Sequence, residues 1–164
     1  MSATVFPSLR TAMQSETQTM KTRSYTLLLG IIFLVIGILG FIDPFVSPAE
    51  GAPDVAAEGS YGYLLGLFPV NWLHNLVHIA FGIWGLAAYR SYTGAKGYCK
   101  ANAVIYAVLA VAGLIPGLNT MFGLVPLFGN DVWLHALIAI ASAYFGFFAH
   151  EDATESNRYS STAV

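Results

Sequence analysis

The run Asn71-Trp72-Leu73-His74-Asn75-Leu76-Val77-His78 sets four polar side chains at the head of a stretch that is otherwise apolar through residue 89. A partial copy, Asp131-Val132-Trp133-Leu134-His135, heads a second apolar stretch that runs to residue 150. In both, Trp-Leu precedes the histidine and a glycine (Gly85, Gly146) follows eleven residues after it. Asn71 and Asp131 are residue types that cap helices, their side chains accepting from amides of the first turn. Each stretch therefore predicts a helix with a polar start and an apolar body long enough to cross a bilayer. Reading the two as paired membrane helices decides the fold, and the rest of the chain becomes their frame.

Composition agrees. The 164-residue chain is 56% hydrophobic and only 10% charged, against about 25% charged in globular proteins. Its length fits one domain. A net charge of −2 supplies no basic stripe to neutralise phosphates, which excludes a nucleic-acid partner. The lone cysteine, Cys99, excludes an intrachain disulfide and a cysteine-based zinc site.

Working outward, residues 1–24 are rich in Ser, Thr and Gln around Arg10, Lys21 and Arg23. They hold too little apolar surface to offset ordering entropy, which predicts a disordered tail. Residues 25–42 form the first apolar run, stopped by Asp43-Pro44 because proline lacks the helical donor. At about 1.5 Å per residue this run reaches roughly 27 Å, close to the hydrocarbon thickness. Its basic flank also suits a signal peptide, but signal cores are shorter and Val46-Ser47-Pro48-Ala49 is a poor cleavage site. Residues 43–60, with three prolines and four acidic side chains, read as an extramembrane loop. Segments 61–70 and 118–130 are apolar, punctuated by Gly and Pro, and too short to span. They are expected to lie at the interface over the outer ends of the second and fourth helices. The remaining spans are expected at 72–89, 101–115 (stopped by Pro116-Gly117) and 132–150, with a second disordered tail at 151–164.

The seven Lys and Arg residues fall only in the two tails and the 90–100 link. By the positive-inside rule both termini are cytoplasmic, the chain sits in an inner membrane, and residues 43–71 and 116–131 face out. The expected architecture is all-α: a four-transmembrane-helix bundle of two tandem hairpins, related by a pseudo-twofold along the membrane normal. His74 and His135 then enter from the outer face at one depth, with His78 a turn deeper.

Membrane helices pack through small residues. Gly30, Gly37 and Gly40 line one side of the first span, and Ala103, Ala107, Ala110 and Gly113 form a ladder on the third. Asn75, His78, Gly82 and Gly85 share a face of the second span, as do Asp131, His135, Ala139, Ser142 and Gly146 on the fourth.

His74, His78 and His135 are the candidate functional residues, because intramembrane ionisable groups are costly and face the bundle interior. Two readings stand. In the first, they join Asn71, Asn75 and Asp131 in a structural polar network that pins helix two to helix four. In the second, they hold a cofactor: a transition metal, or a haem or other tetrapyrrole bracketed by His74 and His135. Trp72 and Trp133 read as aromatic-belt anchors. His150 reads as a cation at a helix C-terminus, and Cys99, beside Lys100 on the link, as a somewhat reactive thiol. There is no nucleotide-binding glycine loop, Ser-His-Asp set or paired intramembrane carboxylate, so the sequence leans away from an enzyme.

The run Leu65-Gly66-Leu67-Phe68-Pro69-Val70 leading into Asn71–His78, the stretch Leu114-Ile115-Pro116-Gly117-Leu118-Asn119-Thr120, and Asn130-Asp131-Val132-Trp133-Leu134-His135 resemble a family of small four-helix bacterial membrane proteins, known as a domain of unknown function. The resemblance covers residues 25–148. It implies an integral membrane protein and carries over no activity, cofactor or catalytic residue. The expected partners are the bilayer and, through the small-residue faces, further copies or a larger membrane complex. Three roles follow in order: a structural or accessory membrane protein, a haem- or metal-binding membrane protein, and a small channel or transporter component.

Overall fold

Residues 5–24 are helical and not a loose tail. In the computed structural model, which describes residues 5–149, helix α1 runs Val5–Leu39. Leu9, Arg10, Ala12, Met13, Gln14, Glu16, Gln18, Met20 and Lys21 are good helix formers. Extending a helix that the apolar half has already nucleated costs far less than starting one. Thr22 and Thr26 are fully buried, so tertiary packing begins inside the segment where sequence predicts disorder. The C-terminal tail, residues 151–164, and His150 lie outside the described residues.

α1 ends three residues before the expected stop. Gly40 lies against Asn75, where a Cβ would fall on the Asn75 side chain, and a 3-10 turn at Asp43–Phe45 carries Pro44. Three short strands follow, β1 (Val46–Pro48), β2 (Gly62–Leu64) and β3 (Phe68–Val70). They pair antiparallel in the order β1-β2-β3, with Val46 opposite Leu64 and Gly62 opposite Val70. The fold is therefore mostly helical with a small sheet, not all-α. Strands of three residues are too short to show alternation, and Leu65 and Gly66 make the β2–β3 turn with φ of 53° and 72°, the left-handed geometry that joins tight hairpins. Leu64 and Val70 point inward and are buried.

α2 (Trp72–Ala88) is capped by Asn71, whose side chain accepts from the His74 amide at 2.9 Å. α3 spans Tyr92–Ala112, nine residues earlier than the expected start. Ser91 caps it, accepting from the Gly94 amide at 3.0 Å, and Ala95, Tyr98, Cys99 and Asn102 face inward at helical spacing, all fully buried. The residues taken for a link are its first turns, so Cys99 is a core side chain 3.5 Å from Thr26 Oγ1 and not an accessible thiol. α4 (Asn130–Ala143) follows Gly129 and passes into a π-helical turn at Tyr144–Phe148. Asp131 thus lies inside the first turn and is not its cap. Trp-Leu-His occupies the first three positions of α2 but the fourth to sixth of α4.

α1 packs chiefly on α2, and α3 on α4. Glycines set the first contact: Gly85 meets the Gly30 backbone and Gly37 the Asn75 and Ile79 backbone, so tightly that a Cβ would approach to 2.8 and 2.7 Å. In the expected third-span ladder Ala103 and Ala110 are buried, but Ala107 faces outward; Tyr106 takes its place. The core holds Leu29, Phe33, Ala88, Tyr98, Tyr106 and Ala139. Met20–Leu39 and Asn130–Phe148 are long and apolar enough to cross a membrane, with mean hydropathies of 2.0 and 1.5.

Candidate functional site

Four of the six sequence candidates meet at one end of the helices. His74 and His78, four residues apart on α2, stack with ring centroids 4.6 Å apart and planes at 20°. His135 of α4 comes to 6.2 Å from the His74 ring. Asp131, one turn before His135, faces both: its Oδ2 lies 3.7 Å from His74 Nε2 and 4.0 Å from His135 Nε2. All four side chains are buried. Asn71 and Asn75 do not join the histidines; they tie backbone instead. Asn71 Nδ2 donates to Ala57 O at 2.9 Å and Leu124 O at 2.7 Å, and Asn75 Nδ2 donates to Gly40 O at 2.7 Å.

The distances at Asp131 decide the chemistry. Charge-assisted N–H···O bonds run about 2.7–2.9 Å, so neither histidine is hydrogen-bonded to the carboxylate. Asp131 Oδ2, Asn75 Oδ1 and Nδ1 of His74, His78 and His135 are all buried without a hydrogen-bond partner. Buried polar groups are ordinarily paired, and direct hydrogen bonds between these side chains do not supply the pairing. A potential ligand atom from each of His74, Asp131 and His135 lies within 4.8 Å of the others. The sequence pointed to His78 as a ligand and to Asp131 as a cap. Asp131 approaches both His74 and His135, and His78 stacks on the His74 ring. The signal for Asp131 was its i,i+4 spacing to His135, masked by its cap-like position.

Two aromatic layers fix the cluster from below. Tyr106 meets His135 edge-on at 5.1 Å, and Phe33 stacks on Tyr106 at 5.4 Å while touching His78 at 5.3 Å. From above, the loop that precedes α2 and the loop that precedes α4 form one hydrogen-bonded cap. Ala56 and Ala57 amides donate to Gly123 O at 2.7 and 3.2 Å, and Asn130 Nδ2 donates to Leu67 O at 3.1 Å. Trp72 and Trp133 stand at the rim, 40% and 74% exposed.

With that geometry in hand, comparison with known proteins gives one match. The family model described as Domain of unknown function (DUF4383) matches residues 23–148. The chain belongs to this family. The match spans all four helices apart from the N-terminal part of α1, and it includes every residue of the cluster. No curated protein and no solved structure matches the chain.

Proposed function

We propose that this chain is a multi-pass integral membrane protein with all four helices in the bilayer, acting as a structural or accessory component and not as an enzyme. The observation that carries the reading is reversed polarity. Asn75, His78, Asn102, Asp131, His135 and Ser142 are buried, while Ile83, Val104, Val108, Val111, Leu137 and Ile140 stand 58–72% exposed. In water that arrangement would bury polar groups and present apolar ones, the inverse of a soluble fold. Only 33% of the apolar window in α1 and 39% of that in α4 is buried, which argues against core helices of a soluble domain. The 17 residues of α2 cover about 26 Å, near the hydrocarbon thickness.

Orientation follows from charge. Arg23 Nε donates to Tyr89 O at 2.9 Å and Lys96 Nζ to Ala149 O at 3.2 Å, which groups the basic residues with the ends of α2 and α4. That end is cytoplasmic by the positive-inside rule, and the sheet-bearing end faces out. The glycine seams are consumed inside the chain, so association with further copies or a larger membrane complex uses the outward faces instead. The aromatic floor of Phe33, Phe81 and Tyr106 under the histidines argues against a conducting path.

Cysteine-accessibility mapping tests the topology, helped by the burial of Cys99. Single cysteines at Glu50 and Asn119 should react with an impermeant maleimide from outside intact cells, and one at Thr93 only after permeabilisation. Labelling of all three on one side, or release of the protein by alkaline carbonate, would overturn the reading.

A further inference from the structure

We propose that His74, Asp131 and His135 form a binding site for one divalent first-row transition-metal ion, held between the starts of α2 and α4. The argument is independent of the orientation and partners assigned above, and rests on three observations.

The first is spacing. Ligand atoms sharing one tetrahedral ion at about 2.1 Å stand roughly 3.4 Å apart. The observed 3.7 and 4.0 Å edges are too long for hydrogen bonds and lie close to that value, and the third edge, between the two imidazoles, is no longer than 4.8 Å. The second is charge. Asp131 is 3% exposed and its Oδ2 has no hydrogen-bond partner, and the described lysines and arginines lie at the other end of the helices. A buried carboxylate without a cation is costly, and a divalent ion between it and two imidazoles offsets that cost. The third is donor type. Two imidazoles and one carboxylate suit zinc, iron(II) or their neighbours, whereas magnesium and calcium prefer all-oxygen shells.

The site is also held in place. The His74 backbone is fixed through Asn71, whose side chain reaches the loops that precede α2 and α4. His78 stacks on the His74 ring and Tyr106 holds His135 edge-on. His78 is a positioning residue here, not a ligand. A tetrapyrrole bracketed by His74 and His135 would collide with Asp131, within 4.0 Å of both rings. Three protein ligands leave a coordination position for water or a small anion, since no fourth His, Cys, Asp or Glu joins the cluster among the described residues.

The test uses the full chain purified in mild detergent, stripped by a chelator and titrated with Co2+. Visible ligand-field absorption should appear, saturate near one ion per chain and be displaced by Zn2+. Asp131→Asn and His135→Gln should each weaken binding by more than about 100-fold, whereas His78→Phe should stay within about 10–100-fold, the range typical for outer-sphere partners. Helical circular dichroism and gel-filtration position control for folding. Should a ligand variant misfold, the X-ray absorption fine structure of the zinc-loaded wild type decides by itself. A shell of nitrogen and oxygen with two imidazoles supports the site; sulfur in the shell, or only oxygen, overturns it. A wild-type protein that binds no Co2+, or His78→Phe abolishing binding while Asp131→Asn keeps it, also overturns it.

Discussion

The interior holds two polar clusters, one at each end of the helices, and they are built on opposite terms. At the basic end, hydrogen bonds close. Tyr25 Oη lies 2.8 Å from Ser142 Oγ, Tyr98 Oη donates to Phe81 O at 3.2 Å, and Asn102 Nδ2 donates to Tyr98 O at 2.8 Å. At the sheet-bearing end, His74, His78, Asp131 and His135 approach without bonding. Among the described residues, five of the six buried side-chain polar atoms without a partner lie there, and Asn102 Oδ1 is the exception. Burial is similar at both ends, and what differs is the pairing of the buried polar atoms. A closed cluster stabilises by its bonds, whereas an open one costs stability unless something else is bound.

That contrast can be attacked from several sides. The largest effect should come from the seam the two ends share. Gly85→Val places a Cβ 2.8 Å from the Gly30 backbone, which cannot yield as a side chain can. A loss of at least about 3 kcal/mol is expected, read as a collapsed melting transition in detergent; a mild effect would mean that α1 and α2 can separate. Next comes Asp131→Asn in chelator-treated protein. Exchanging a buried carboxyl group whose Oδ2 has no hydrogen-bond partner for a neutral amide should raise stability by about 1–3 kcal/mol, and a clear fall in melting temperature would show that this cluster is closed after all. Ser142→Ala should do the reverse at the basic end, lowering stability by about 1–2 kcal/mol because Tyr25 Oη is left unpaired. A double-mutant cycle with Tyr25→Phe isolates the bond, and zero coupling would refute the contrast from its other side. The smallest effect belongs to Gly97, where nothing lies within 4 Å of an added Cβ. Gly97→Ala should gain about 0.5–1 kcal/mol from helix propensity alone, and a loss would place an unseen neighbour at that position.

Sequence alone carried the reader to the inward faces of α2 and α4 because periodicity is local: Asn75, His78, Gly82 and Gly85 are all buried, as are Asp131, His135, Ala139, Ser142 and Gly146. The Asn71 cap was legible for the same reason. What failed was whatever depends on distant partners. Thr22 read as a tail residue because nothing nearby announces the α3 surface that the next turn of α1 meets through Thr26. Arg90, Lys96 and Lys100 made the start of α3 look like a link, although Ser91 supplied a cap. The sheet escaped notice since its strands hold three residues each. Only the i,i+4 spacing of Asp131 to His135 hinted that Asp131 meets both rings, for that meeting depends on how α4 is rotated against α2.

The cap has a consequence in time as well as space. Asn71 bonds a carbonyl 53 residues downstream, and Asn130 one 63 residues upstream. As the chain is made, α2 is complete before either bond can form, and His74 stands uncovered through the synthesis of all of α3. The door over the cluster is hung last.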